Sequence, residues 1–400
     1  INNKDATIDA MVGGSDYANV PFNLATQGFR QPGSTIKPFI LTTALAQGIS
    51  PYTTFTSASP IVLEGTVWDS KKKKWIKEPF EVRNYGDSSL GTADLVSGTV
   101  NSDNSVYAQL GIETIKGGPK AIARMIHKMG VSDRVQTNPA MVLGTSEVTP
   151  LQWTYAFSTL ANDGRRVSGS LAPDPGDAPV AFTKVTDEDG KTIKGGDNAV
   201  MSTKVVEPEV ATTAKDILHQ VVTGGTGKNA YIGDDSQWGK TGTTDDNTNA
   251  WFCGAITEIT ACVWVGYPDG YVQMLTEYGG SPVDGGTYPA IIWARVVEAW
   301  KAIEAERAAE REAEAAAEES EDSSDTESTD TSDTVDMGTV PDTGYSAPET
   351  TVPETTAPAP APEPAPAPTP APAPAPTPTP APPPSGGGGG IAPSGGAAPG

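Results

Sequence analysis

Cysteine and histidine are nearly missing from this chain. Two of each occur in 400 residues, Cys253, Cys262, His127 and His219. They are too few and too scattered for a Cys/His zinc site or a haem attachment motif, so neither a metal nor a cofactor is expected. Long apolar runs are missing too. No stretch approaches the roughly 18 to 20 consecutive apolar residues of a membrane-spanning helix, and no basic-then-apolar signal segment opens the chain. Positive charge is scarce: 27 Lys and Arg stand against 50 Asp and Glu, a net charge of −23. Nucleic acid and anionic lipid repel such a chain at long range, which argues against non-specific binding to either and leaves no nucleic-acid partner expected. The first residue is Ile1 and not methionine. The expectation is that an upstream segment, with any membrane anchor, has been removed.

What is present is unevenly distributed. Residues 301–400 hold 18 acidic groups and 3 basic ones, and 20 of the 36 prolines lie after residue 340. The first 300 residues carry −8 of the net charge and the larger share of the apolar residues, enough to bury a core. They are read as one domain. Residues 301–318 then form a charged Ala/Glu helix extension, solvated or frayed. Residues 319–347 are expected to be an acidic disordered linker with almost nothing to bury, and 348–400 a Pro/Ala/Thr/Gly-rich low-complexity tail, of polyproline II character over 348–384 and flexible at Gly386 to Gly390.

Periodicity places the elements. A helix is expected from near Ser34, with Phe39, Ile40, Leu41, Ala44 and Leu45 on its apolar face, Pro38 tolerated early and Gly48 as the stop. Further helices are expected at about Leu95–Leu110, Pro119–Met129, Pro150–Ala161 and Ala211–Val222. After residue 238 the period becomes two, and Asn249–Ile256 and Thr260–Gly266 read as an antiparallel hairpin. The sheet is therefore expected to be mostly C-terminal. Ile291, Ile292, Val296, Val297 and Trp300 mark a last amphipathic helix.

Three short motifs follow in order: Ser34-Thr35-Ile36-Lys37, Ser102-Asp103-Asn104 and Lys240-Thr241-Gly242-Thr243. Each is weak alone. Ser70 to Lys73 repeats the first spacing within a run of lysines, and an isolated Ser34 would more often be a helix cap beside a solvated lysine. At i and i+3 on a helix, however, Lys37 lies on the same face as the Ser34 hydroxyl and can take its proton. That requires a pKa far below about 10.4, which burial beside Phe39, Ile40 and Leu41 would supply. Ser102 and Asn104 can pass a proton and hold Lys37 or a substrate amide, with Asp103 directed elsewhere; the same residues also suit an ordinary polar loop. Lys240, Thr241 and Thr243 suit a carboxylate, and Gly242 lets a substrate backbone lie close. A phosphate loop is excluded, because five residues and not four separate Gly233 from Gly239.

The set resembles that of the serine penicillin-binding proteins and class A β-lactamases. Ala10-Met11-Val12-Gly13-Gly14, Asp16-Tyr17, Phe22-Asn23 and Arg30-Gln31-Pro32-Gly33 narrow the resemblance to the transpeptidase domain of class A penicillin-binding proteins, over residues 1 to about 300. Thr226-Gly227-Lys228-Asn229-Ala230, Gly239 to Thr244, Ala250-Trp251-Phe252 and Val263 to Asp269 do the same. The tail resembles those of actinobacterial members. The resemblance implies an α+β fold of the penicillin-binding protein/serine β-lactamase type: an antiparallel sheet flanked by helices plus a helical subdomain. It implies an acyl-enzyme on Ser34, Lys37 as base, Ser102 as proton shuttle, Asn104 on the acyl-chain amide, and Lys240, Thr241 and Thr243 on the terminal carboxylate. The backbone N–H groups of Ser34 and Thr243 would form the oxyanion hole. Its implied partners are peptidoglycan stem peptides, as D-Ala-D-Ala donor and amine acceptor, β-lactams, and proteins of cell-wall elongation or division. The implied place is the extracytoplasmic face of the plasma membrane, after an upstream glycosyltransferase domain.

Hydrolytic β-lactamase activity is disfavoured, since Glu147 is followed by Val148-Thr149-Pro150-Leu151 and lacks the ExxLN setting of a water activator. A D,D-carboxypeptidase shares every motif, and a β-lactam-sensing module would need only one acylation. Lys71 to Lys74, with Trp68 and Trp75 alongside, read as a solvated hairpin tip, with contact to an anionic wall polymer as the alternative. Cys253 and Cys262 pair in one hairpin register and are separated by a two-residue slip.

Overall fold

After a one-turn helix α1 (Leu24–Gln27), the segment expected to be helical from Ser34 folds in two steps: a 3₁₀ turn, Gly33–Ile36, then helix α2 (Lys37–Ala46). Pro38 sits in the first turn of α2, where its missing N–H breaks no helical bond. Lys37 to Ala44 are all buried, so α2 is enclosed on every side. The computed structural model describes residues 1–14, 16, 18–19 and 21–322. The proline-rich spacer and nearly all of the expected acidic linker lie outside the described residues.

The helix expected over 95–110 is instead two, α3 (Leu95–Val100) and α4 (Asn104–Gln109). Asp103 causes the break: its carboxylate accepts the Val106 N–H at 2.9 Å and starts a new helix. Ser102, left between the two, has φ +56°. Helices α5 (Gly118–Lys128), α6 (Pro150–Ala161) and α7 (Pro208–Thr223) fall where the apolar period puts them.

Eight of the eleven described strands precede residue 205, against the expectation of a mostly C-terminal sheet. They form two-stranded ribbons: β1 (Thr54–Ser57) with β4 (Gly91–Asp94), β2 (Ile61–Asp69) with β3 (Lys74–Val82), β5 (Arg165–Gly169) with β8 (Val200–Lys204), and β6 (Lys184–Thr186) with β7 (Thr192–Asp197). Their faces are largely wet, and β8 is exposed throughout, so an apolar alternation has nothing to mark. The larger sheet is C-terminal. It is antiparallel, in the order β11 (Thr260–Val265), β10 (Ala250–Ala255), β9 (Trp238–Thr243). The register sets Cys253 opposite Cys262, and the two form a disulfide.

Alternate residues of β10 serve two cores, as a pleated strand requires. Trp251, Cys253 and Ala255 join the main core with α2, α6 and α7. Phe252 packs with Trp293 and Val297 of the last helix α8 (Tyr288–Asp322). The buried stripe of α8 is Ala290, Trp293 and Val297, whereas Ile292 and Val296, assigned to it by the sequence pattern, are each 40% exposed. Trp293 fixes this orientation by donating its indole N–H to Ala261 O at 3.0 Å. The charged extension after residue 300 continues the same helix, with nearly all of residues 301–317 exposed to solvent. Among the described residues no helix is long and apolar enough to cross a membrane.

Candidate active site

The turn carrying Ser34 is held by two buried indoles. Trp153 donates to Thr35 Oγ1 at 2.8 Å and Trp251 to Gln31 O at 2.9 Å. Behind them Phe39 packs on Trp153 at 4.6 Å, and Phe157 stacks on Trp238 at 5.9 Å, so the turn rests on an aromatic floor. Ser34 emerges partly exposed into an open cleft of about 640 Å³. Ser102, Asn104, Thr241 and Thr243 line the same cleft. Residues from all three motifs, far apart in the chain, thus meet at one place.

Two buried lysines converge on Ser102. Lys37 Nζ donates to Ser102 O at 2.6 Å and to Asn104 Oδ1 at 2.8 Å, and lies 3.2 Å from Ser102 Oγ. Lys240 Nζ lies 2.8 Å from the same hydroxyl and donates to Thr241 O at 3.0 Å. Both side chains are wholly enclosed. Burial pulls the Lys37 amine down from its ordinary 10.5 to about 7, against the opposing pull of the Asp103 charge. Burial, with the neighbouring Lys37 charge, holds Lys240 well below its ordinary value. Two ammonium ions sharing one hydroxyl in a dry site would repel strongly, so the pair sheds a proton readily.

The spacing of the first motif predicts direct contact between lysine and serine. Among the described residues no hydrogen bond joins Lys37 to Ser34; the amine is directed instead to Ser102 O, the Ser102 hydroxyl and Asn104 Oδ1. Asp103 faces away from the amines, accepting from the Ser57 and Ser105 hydroxyls and the Asn84 amide.

The third motif is an edge. Thr244 N–H donates to Asn249 O at 3.0 Å, so the alternation of the antiparallel ladder turns the N–H groups of Thr241 and Thr243 away from β10, toward the side of β9 on which no strand pairs among the described residues. Gly33 packs directly on the Thr243 backbone: a Cβ there would stand 2.7 Å from Thr243 O. This contact sets the start of the Ser34 turn against the Thr243 backbone. Gly242 is required for the approach, since a Cβ would lie 2.4 Å from Pro32 O and 2.8 Å from Thr35 Cγ2. Gly242→Ala is expected to push the Ser34 turn off the strand, destabilising the fold by about 1–3 kcal/mol and slowing any covalent reaction of the Ser34 hydroxyl roughly 10- to 100-fold. Thermal melts and penicillin-labelling rates check both.

Several cleft residues lie outside the three motifs. Asn84, nearly buried, accepts the N–H groups of Asn104 and Ser105 at 2.8 and 3.0 Å and so clamps the second motif. Thr226 shares a 2.7 Å hydrogen bond with Thr241. Gly285, which does not itself line the cleft, donates its N–H to the Thr243 hydroxyl from behind it at 3.1 Å. Asn84 and Gly285 belong to no spacing pattern. Thr226 falls in a stretch that carries the family resemblance, the one signal that could have found it. Glu147 bonds to the Tyr271 hydroxyl and is not among the residues lining the cleft.

Residues 1–268 match the family model described as the penicillin-binding protein transpeptidase domain. The chain is 33% identical over 267 residues to penicillin-binding protein 1A of Aquifex aeolicus, covering 67% of this chain and 33% of that protein. Penicillin-binding protein 1A of Neisseria meningitidis is 31% identical over 291 residues, covering 70% and 33%. The chain thus spans about a third of the length of these relatives. In fold it is similar to the crystal structure of penicillin-binding protein 1A from Haemophilus influenzae, with a TM-score of 0.60, 24% identity and coverage of 74% of this chain and 46% of that one. It is equally similar to PonA1 from Mycobacterium tuberculosis in complex with penicillin V, with a TM-score of 0.60, 22% identity and 74% coverage of each.

Proposed function

The chain belongs to the penicillin-binding protein transpeptidase family, and from that premise we propose that it is a serine D,D-transpeptidase that crosslinks peptidoglycan stem peptides and is inhibited by β-lactams. The observation that carries the reading is the buried Lys37 amine, drawn down to about 7 and tied to Ser102 and Asn104 at the cleft where Ser34 stands. A neutral amine in that position is a general base at working pH.

In the proposed cycle Ser34 Oγ bonds to the penultimate D-Ala carbonyl carbon, and its proton passes to Lys37. The N–H groups of Ser34 and Thr243 hold the oxyanion. The C–N bond to the terminal D-Ala breaks as its nitrogen takes a proton through Ser102, leaving an ester on Ser34. The amine of a second stem peptide then attacks this ester, and the serine oxygen recovers its proton. Lys240, Thr241 and Thr243 receive the terminal carboxylate, and Asn104 positions the amide of the acyl chain. Thr241 and Thr243, with N–H groups along the free edge of β9, suit a peptide that lies on it as an added strand. A lysine kept neutral before binding would take up a proton as the carboxylate arrives.

The site lies, in this reading, on the extracytoplasmic face of the plasma membrane, as part of a longer class A protein of actinobacterial type. The Cys253–Cys262 disulfide is in keeping with an oxidising compartment. Turnover of a pentapeptide ending in D-Ala-D-Ala, with and without an amine acceptor, tests the activity. D-Ala release with conversion of the acceptor to crosslinked product is expected. Release that ends only in the hydrolysed tetrapeptide, at every acceptor concentration, would identify a carboxypeptidase instead.

A further inference from the structure

The β2–β3 ribbon ends in a feature that the acyl-transfer chemistry does not use. Trp68 and Trp75 stand directly opposite each other, their rings 5.5 Å apart and edge to face. They are 52% and 49% exposed. Lys71, Lys72 and Lys73 make the turn, and Lys74 begins the return strand. Lys72 pairs with Asp69 and Lys77 with Glu64. Lys71, Lys73 and Lys74 have no acidic partner among the described residues. Lys120, from α5, lies 4.8 Å over the Trp75 ring and adds another charge.

Two details argue against a merely solvated tip. Lys73 has φ +48°, a left-handed position ordinarily filled by Gly, Asn or Asp. A lysine there bears strain without any compensating contact. Half-exposed indoles in a pair also keep apolar surface in water next to free ammonium groups. Together they offer exposed indole surface for sugar rings and cations for carboxylates. The ribbon also has a place relative to the site: β3 runs straight into Arg83, Asn84 and Tyr85, which line the catalytic cleft. Nine strand residues at ~3.3 Å each set the tip roughly 30 Å away. The overall negative charge does not cancel a basic tip, because charges beyond about 8 Å are screened at physiological salt.

We infer that the Trp68–Trp75 pair and the free ammonium groups of Lys71, Lys73 and Lys74 form a docking surface for peptidoglycan, the indoles taking the sugar rings of the glycan and the ammonium groups the carboxylates of its stem peptides. The partner's identity rests on the proposed transpeptidase function; the surface itself does not. Glycan held at the tip would keep further stem peptides near the cleft, raising their local concentration. A lipid surface is the poorer fit. The lysines lead and the indoles follow, so insertion would drive ammonium groups into the bilayer first.

The test is cosedimentation of the full chain with purified peptidoglycan sacculi freed of protein and of attached phosphate-containing polymers, after blocking Ser34 with benzylpenicillin. The wild type is expected to sediment. The triple variant Lys71→Gln, Lys73→Gln, Lys74→Gln and the double variant Trp68→Ala, Trp75→Ala should each bind about tenfold more weakly. Labelling of unblocked samples by fluorescent penicillin should be unchanged, which shows that the variants fold. Equal sedimentation of wild type and variants would overturn the inference. So would binding of wild type only to vesicles containing anionic phospholipid. Loss of penicillin labelling in every sample, wild type included, would count against the proposed activity while leaving the ribbon's binding readable.

Discussion

Ser34→Ala is expected to abolish the covalent benzylpenicillin adduct seen by intact mass on the wild type. Any residual D-Ala release should fall by at least about 10⁴-fold, as happens when a serine nucleophile is removed and only binding and oxyanion stabilisation remain. The geometry makes this a clean experiment. The Ser34 hydroxyl has no hydrogen bond among the described residues, and the turn is held from behind by Trp153 and Trp251. Removing one hydroxyl that faces the cleft should therefore change stability by no more than about 0.5 kcal/mol. Thr241 and Thr243, the proposed carboxylate site, remain in place, so non-covalent affinity for the drug should persist. An adduct of undiminished yield on the alanine variant would show that another residue is the nucleophile. Ser102, with two lysines at its hydroxyl, would be the first to examine.

That second serine shows where sequence reading gives out. The first motif was legible because its chemistry is local: the spacing of Ser34 and Lys37 and the apolar run Phe39 to Leu41 are enough to place a lysine against a core, and Lys37 is indeed enclosed. The β9–β10 pairing was legible for the same reason, through its period of two. The residues of the second motif were legible too, but the course of its backbone was not. Its backbone break depends on Asp103, which is held by Ser57 and Asn84 from 46 and 19 residues away. No pattern within the motif contains those partners, so a continuous helix was the natural expectation. The same limit applies to Cys253 and Cys262. Either register satisfies the alternation, and the choice is made by packing on both faces of β10, where Trp251 and Phe252 enter different cores. The early ribbons were missed because sheets wet on most of their surface leave little apolar signature. The contact expected between Lys37 and Ser34 was a matter of rotamer, since the amine has better acceptors in Ser102 and Asn104.

Lys37→Gln is expected to slow acylation by about 10²- to 10⁴-fold and to flatten its pH dependence. A lysine serving as base works only when neutral. With its pKa at about 7, the acylation rate should rise with pH through that value and level off above it. Lys37→Arg keeps a cation that cannot lose its proton, and should be as slow as the glutamine variant at every pH. The same burial has a thermodynamic consequence with a definite sign. The folded pKa lies below the ordinary 10.5, so between about 7 and 10.5 the unfolded chain binds more protons than the folded one. Stability contributed by this group is then fully present above 10.5 and lost as pH falls through about 7. Denaturant titrations should show the wild type gaining more stability between pH 8 and pH 10, chosen as roughly spanning that window, than Lys37→Gln gains. A rate profile that keeps its acid limb in the glutamine variant would move the base to another group, and Lys240, buried beside the same Ser102 hydroxyl, is the one positioned to be it. A variant that loses the limb but keeps the wild-type rate would mean that proton removal from Ser34 does not limit acylation. Loss of both rate and limb, with the pH-dependent stability gain reduced in step, is the result that a buried amine serving as base requires.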